Sequence, residues 1–270
     1  MKNILLIALI SVSTITMGFI VADSVPVVED NYKVIKVDGK ITFVKSGKNL
    51  ITGDLFTSNE KLTFASNDSR AAVISKLKGR FVLTPDTKGG KAANLMPAMS
   101  NVSTRSGALI TALDLKNHFS QNYLVLDALE LKLNEDSYPM DSDNFFYLQY
   151  ELNGENIPKK LNFKAGNILE ITASEIYTVD GKQLPIPEKT AMSIYYRNSA
   201  DKKSTKVSDF NLVVPNTENL KQELKIITSE IKDQTQDNLT DEITAYLHEF
   251  YGTPQKENVS FWLKDNMNFK

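Results

Sequence analysis

No cysteine occurs anywhere in the 270 residues. That single absence excludes disulfides, thiolate nucleophiles, zinc–thiolate centres and acylation at a cysteine. Histidine is nearly absent too, so imidazole chemistry rests on His118 and His248 alone. Charge of neither sign is in excess. The 31 basic and 33 acidic residues leave a formal net charge of -2, which gives none of the electrostatic footprint that marks a nucleic-acid partner. What is present is a globular composition: 41% hydrophobic residues with 13 Phe, 10 Tyr and one Trp, in a chain long enough to bury a sizeable core without covalent staples.

The N-terminus carries the only long apolar run. Lys2 gives a positive flank, Ile4–Ile10 is apolar, Ser11, Ser13, Thr14 and Thr16 are hydroxylated, and Met17–Ala22 is apolar again before Asp23-Ser24. This is the layout of a secretory signal peptide over residues 1–22. The alternative is an uncleaved anchor, since Ile4–Ala22 is long enough to span a bilayer. Residues 23–33, with Pro26, read as an extended linker.

From Val34 to Leu83 the chain alternates short β-rich runs with turn residues: Val34–Val37, Ile41–Val44, Leu62–Phe64, Ala71–Ile74 and Phe81–Leu83, punctuated by Asp38-Gly39, Gly47, Gly53 and Asn67-Asp68. Such spacing predicts a small β module over 34–85. Asp38-Gly39 predicts a two-residue hairpin. Ile41, Phe43, Leu55, Leu62, Phe64, Val73, Leu77, Phe81 and Leu83 are the expected inner face.

The order Val37-Asp-Gly-Lys, Leu50-Ile-Thr-Gly53-Asp54-Leu-Phe, Leu62 with Phe64, then Asp68-Ser69-Arg-Ala-Ala-Val-Ile resembles the FecR-type periplasmic domain of ferric-citrate-sensing regulators. The resemblance covers about residues 34 to 85 and implies an all-β fold on a bacterial envelope protein. Ser66-Asn67 stands where that family often has Thr-Gly. Only Met1–Asn3 precedes the apolar run, so signalling through a cytoplasmic N-terminal part is not expected.

Residues 86–107 read as a loop or linker, with Gly89-Gly90, Pro97 and the polar run Ser100–Ser106. Lys88-Gly-Gly-Lys91 lacks the Gly-Lys-Ser/Thr ending of a phosphate-binding loop. A second β domain is expected over 108–215. It opens with a short helix in Ala108–Phe119. Strands follow at Tyr123–Leu133, Phe145–Leu152, Leu161–Phe163, Ile168–Ile171, Ile176–Val179, Met192–Tyr196 and Phe210–Val214, with turns at Asn153-Gly154 and Asp180-Gly181. After Pro215 the period changes. Leu220, Leu224, Ile227 and Ile231 mark one helix, Thr240 would cap a second carrying Ile243, Leu247 and Phe250, and Val259–Met267 offers a third. The fold class is thus mainly β with C-terminal helices: the small FecR-like module, then a β-sandwich or antiparallel sheet capped by two or three short helices over 216–270.

Chemistry-bearing residues are sparse. His118 and His248 read as satisfied or solvent-facing. The acidic stretch of Glu135, Asp136, Asp141 and Asp143 reads as a solvated turn, because Phe145 and Phe146 fall where a calcium loop needs oxygen ligands. Tyr195-Tyr196 and Phe145-Phe146-Tyr147 are candidate sugar-stacking strips, with at least one residue of each expected in the core. Sequons at Asn67, Asn101, Asn238 and Asn258 matter only in a glycosylating host.

No catalytic, cofactor-binding or metal-ligating residue is assigned, and the chain reads as more a binder than an enzyme. The expectation is an exported bacterial envelope protein, periplasmic or extracellular, with a binding, scaffolding or interaction role. Its partner is a protein or envelope component, and it meets membrane only through an uncleaved residue 4–22 segment. Two alternatives stay open: an exported glycan or peptide hydrolase using dispersed carboxylates or Ser with His118 or His248, and a membrane-anchored periplasmic adaptor.

Overall fold

A computed structural model describes residues 30–86, 93–99, 109, 111–199, 203–231 and 235–269. The segment read as a signal peptide lies outside them. Among the described residues no helix is long and apolar enough to cross a membrane. The chain is mainly β with helices at its C-terminal end, as the patterning predicts.

The first β unit comprises β1 (Asn31–Asp38), β2 (Ile41–Phe43), β3 (Leu55–Thr57), β4 (Leu62–Phe64), β5 (Arg70–Ser75), β6 (Gly79–Pro85) and β7 (Ala93–Pro97). Five strands form an antiparallel sheet in the order β3-β1-β5-β6-β7, while β2 and β4 pair separately. Val34, Ile41, Leu62, Val73 and Leu83 fill the space between the two sheets. On β5, Ala72 and Ile74 face the other way, so this central strand is buried on both sides and reads as a continuous apolar run. The β1–β5 register slips between Val34 and Lys36. The slip carries Lys36 to the same side as Ile35, where it meets the C-terminal helices.

The second unit comprises α1 (Ala112–His118), β8 (Asn122–Leu124), β9 (Ala128–Lys132), β10 (Phe145–Leu152), β11 (Glu155–Lys160), β12 (Asn162–Lys164), β13 (Ile168–Thr172), α2 (Ala173–Ile176), β14 (Thr178–Val179), β15 (Lys182–Gln183), β16 (Lys189–Asn198) and β17 (Lys203–Val213). A five-stranded sheet, β11-β10-β16-β17-β8, faces a three-stranded one, β12-β13-β9. Phe146, Leu148 and Ile194 of the larger sheet pack with Leu131, Leu169 and Ile171 of the smaller, making a β-sandwich.

Helices α3 (Thr217–Glu230), α4 (Gln236–Phe250) and α5 (Lys256–Met267) complete the chain. They do more than cap a sheet. Leu224, Tyr246, Leu247 and Trp262 share one core with Ile35, Ile74 and Val82 of the first unit and with Leu124, Leu126 and Val213 of the second. Asn258 on α5 hydrogen-bonds the backbone of Leu126 and Ala128. The helices are therefore the filling between two β units.

Several expectations are corrected. Asp38-Gly39 closes no β1–β2 hairpin, because β1 pairs with β3 and β5 while β2 pairs with β4. Asp38 stays in the strand and accepts from Arg70 Nε at 3.2 Å. Gly39 alone turns to positive φ, passing so near Ser69 that a Cβ would lie 2.7 Å from its Oγ. Asn153-Gly154 and Asp180-Gly181, with positive φ at both positions, do close the β10–β11 and β14–β15 hairpins. Leu55 and Leu77 are 66% and 75% exposed, since Phe56 takes the inward place on β3 and Leu77 sits in the β5–β6 turn. The expected linker at 86–107 contains β7, an edge strand that ends at Pro97. The strand pattern expected over Tyr123–Leu133 is divided at Asp127 by a φ of 58°, sending β8 and β9 to different sheets. Ile176 ends the helical turn α2 rather than starting a strand. Thr235, not Thr240, caps α4 by accepting from Asn238 N; Thr240 lies inside the helix and donates to Gln236 O at 3.0 Å.

Candidate functional site

The aromatic strips are sorted by strand alternation. Phe146, Leu148 and Tyr150 on β10, and Met192, Ile194 and Tyr196 on β16, point into the sandwich core. Phe145, Tyr147, Tyr195 and Arg197 are consequently left on its outer face. Pairing across strands then assembles what is separate in sequence. Lys160 stands opposite Tyr147, Tyr147 opposite Tyr195, and Tyr195 opposite Lys206, so one row crosses four strands with two rings between two ammonium groups. The Tyr147 and Tyr195 rings stack, centroids 5.1 Å apart and 8° from parallel. In the next row Phe145 stands opposite Arg197, and the Lys160 ammonium lies 4.0 Å from the Phe145 ring centroid, a cation–π contact.

On the other side the row Pro158, Gln149, Ser193, Asp209 is polar. Ser193 Oγ donates to Asp209 Oδ1 at 2.5 Å, and Lys206 Nζ lies 2.5 Å from the same oxygen. The bond to Lys206 is the main cause holding the Asp209 carboxyl below its usual range. Among the described residues neither Lys160 nor Arg197 has a carboxylate oxygen within ion-pair distance, but Lys160 Nζ donates to the Ser142 carbonyl at 3.3 Å and, after the Asn144 side chain, its charge contributes to lowering the Asp141 carboxyl. The face thus runs from cationic and aromatic at one end to amide, hydroxyl and carboxylate at the other.

A second concavity, about 490 Å³, opens where the two β units meet α3. Lys36, Asp127, Glu188 and Tyr251 are among its walls. Behind it Glu223, 4% exposed, accepts hydrogen bonds from Tyr246 Oη at 2.7 Å and Tyr251 Oη at 2.6 Å. Lys36 Nζ lies 3.7 Å from Asp38, 3.8 Å from Glu188 and 3.8 Å from Glu223, and donates to Tyr251 Oη at 3.1 Å. Burial raises the Glu223 carboxyl above its ordinary value and pushes both phenols up. One cation shared among three carboxylates, each from a different part of the chain, is a joint between the units.

His118 and His248, 130 residues apart in sequence, line one cavity of about 210 Å³ with Tyr123. His118 Nε2 lies 2.6 Å from Tyr123 Oη, while Ser120 Oγ, beside them, donates to the Asn117 carbonyl at 2.9 Å. Asp141 accepts from Asp143 N, Asn144 N and Asn144 Nδ2 at 2.8, 2.7 and 2.8 Å. The Asn144 side chain leads the causes that hold its carboxyl below the usual range. Glu135 and Asp136 are exposed in a separate turn. Among the described residues no group of three or more His, Asp and Glu side chains is placed to hold a metal ion. Asn67 and Asn238 are exposed, whereas Asn258 is committed to the backbone bonds described above. Asn101 and Lys88–Lys91 lie outside the described residues.

No family model matches the chain, and no curated protein matches it. Similar solved structures include the N-terminal four Ig domains of Dscam1 isoform 6.44, at 10% identity and a TM-score of 0.20, covering 68% of this chain and 44% of that one. The same four domains of isoform 4.4 give 10% identity, a TM-score of 0.19, and coverage of 68% and 45%. The chain spans less than half the length of either structure. Superposition at that level assigns this chain no function.

Proposed function

We propose that this is an exported bacterial envelope protein that binds a partner through the outer face of its β-sandwich. The observation that carries the reading is the Lys160, Tyr147, Tyr195, Lys206 row, with Phe145 and Arg197 beside it. Aromatic and arginine side chains are the residues that most often anchor binding surfaces; tyrosine covers a large area while losing little conformational freedom, and arginine adds a planar fork of donors. The signal-peptide layout of residues 1–22 supports export, and the FecR-like order over 34–85 supports an envelope setting. In this reading the first β unit and the helices are the scaffold that holds the recognition face.

A hydrolase is less favoured by the geometry. Among the described residues the one deeply buried carboxylate, Glu223, is engaged by two tyrosine hydroxyls and Lys36, and the Asp141 loop folds its carboxylate onto its own backbone.

Retention of the exported protein on insoluble envelope material tests the proposal. Wild type is expected to be retained, and a Tyr147→Ala/Tyr195→Ala variant to fall by roughly tenfold or more, as loss of about 2 kcal/mol at a binding anchor implies. Equal retention of both, or retention of neither, would overturn it. N-terminal sequencing of the exported form is expected to begin at Asp23; a start at Met1 would replace export with anchoring.

A further inference from the structure

Taking the outer face as the binding surface, we propose that its ligand is an acidic polysaccharide, a chain of pyranose units bearing carboxylates.

Pyranose rings carry C–H groups that pack on the electron-rich faces and flanks of aromatic rings. Tyr147 and Tyr195 each cover one face of the other and Lys160 lies over Phe145, so the edges and remaining faces of these rings, on neighbouring strands, are the surfaces they supply. Strands lie about 4.8 Å apart, so the three steps from Lys160 to Lys206 span roughly 14 Å, a width that suits an extended polymer rather than a small solute. Neither the Tyr147 nor the Tyr195 hydroxyl has a hydrogen-bond partner among the described residues. Both are open to a hydroxyl-rich ligand. Gln149, Ser193 and Asn156 extend the same face as hydrogen-bonding groups, beside the carboxylates Glu151 and Asp209, which confine an acidic ligand to the end bearing Lys160 and Arg197.

The charge arrangement selects acidic over neutral polymers. Lys206 is neutralised by Asp209, but Lys160 and Arg197 flank Phe145 with no carboxylate in ion-pair contact among the described residues. Lys160, over the Phe145 ring, and Arg197, the cross-strand neighbour of Phe145, are the two cations that can seat a carboxylate through charge-assisted hydrogen bonds. Lys160 also donates to the Ser142 carbonyl at 3.3 Å and, after the Asn144 side chain, contributes to lowering the Asp141 carboxyl. Arg197 therefore carries the larger share of this charge selection, and a neutral sugar would leave that guanidinium unused. A single-stranded nucleic acid would also stack and pair with cations, and it is the competing outcome.

The test is equilibrium binding of the exported full-length protein to polygalacturonate, to the same polymer with its carboxyls methyl-esterified, to a neutral glucan, and to oligo(dT). Polygalacturonate is expected to bind, with the ester and the glucan at least tenfold weaker. Lys160→Gln/Arg197→Gln is expected to weaken polygalacturonate about tenfold, one charge-assisted contact's worth, while leaving the ester unchanged. Tyr195→Ala is expected to lower both. Tyr195→Phe, which keeps the stacked ring, controls for folding, and the Lys160 and Arg197 changes are at surface positions that leave the core intact. Equal binding of the ester, or tighter binding of oligo(dT), would overturn the acidic-polysaccharide assignment. If polygalacturonate fails while envelope retention still depends on Tyr147 and Tyr195, the ligand class is wrong and the binding face stands. If retention is absent as well, the binding reading itself fails.

Discussion

Glu223 is a buried carboxyl whose ionisation the fold opposes. Burial raises its pKa above the ordinary 4.5 despite Lys36 and two donating tyrosines. Between that ordinary value and the raised one, the folded state holds the proton more often than the unfolded state. Stability from this group is therefore fully present below pH 4.5 and is lost as pH rises through the folded value. Asp141 and Asp209 have depressed values and act oppositely, losing stability as pH falls. Glu223→Gln isolates the first effect: urea midpoints of variant and wild type are expected to converge at acid pH and separate in the variant's favour toward neutrality. Parallel profiles would remove Glu223 as the source. Backbone geometry makes a second prediction at this scale. Gly252 has φ of 128°, and a Cβ there would lie 2.3 Å from the Asn122 carbonyl oxygen, whereas Gly47 at φ of 70° has open space around it. Gly252→Ala is expected to cost about 2 kcal/mol or more and Gly47→Ala about 1 kcal/mol, read by chemical denaturation. Equal costs would mean that the close approach is relaxed without penalty.

At the scale of elements, Arg80 on β6 shows how the helical filling is fastened. Its side chain is 1% exposed and donates to Glu242 at 2.7 Å, to Glu249, and to the Met99 carbonyl at 2.9 Å. Arg80→Ala strands two carboxylates beside a buried cavity and is expected to cost about 3–5 kcal/mol. Arg80→Met with Glu242→Gln and Glu249→Gln is expected to recover most of it, and a triple variant as unstable as the single one would refute this account of the cost. None of this pairing is visible in sequence, where Arg80 and Glu249 are far apart. Local signals were legible where the cause is local: the Asn153-Gly154 and Asp180-Gly181 hairpins, the α3 face of Leu220, Leu224 and Ile227, and the alternation that buries Phe146 and Tyr196. Signals failed where tertiary context decides. Asp38-Gly39 has hairpin chemistry, but β1 finds better partners in β3 and β5. Thr240 has cap chemistry, but Thr235 precedes it and starts the helix first. The row proposed to bind shares this property. Its aromatic members could be picked from Phe145–Tyr147 and Tyr195, yet Lys160 and Lys206 join them only through cross-strand register, which a sequence does not print.

At the scale of the molecule, two β units that look separate in sequence are held by one core. Ile35, Ile74 and Val82 contribute to it from the first unit, and Leu124, Leu126 and Val213 from the second, with α3, α4 and α5 between. Removing the helices would expose apolar side chains on both units at once, each fully buried Leu, Ile or Val corresponding to about 1.5–3 kcal/mol of lost burial. The Lys36 joint crosses the same boundary, since its carboxylates come from β1, from the loop before β16 and from α3. Independent domains would unfold in separate steps, as weakly coupled units do. This arrangement predicts instead one calorimetric transition for the full chain, with calorimetric and van't Hoff enthalpies in agreement. Trp262→Ala, within the shared core, is expected to lower that single midpoint by the equivalent of about 3–5 kcal/mol without splitting it. A chain ending at Pro215 is expected to bind a hydrophobic dye strongly and to lose cooperative melting. Two resolved transitions in the full chain, or a Trp262→Ala variant in which only one β unit melts early, would show that the helices belong to one unit and merely touch the other. In that case the face bearing Tyr147 and Tyr195 would be free to turn relative to the first unit, rather than held in a fixed orientation by it.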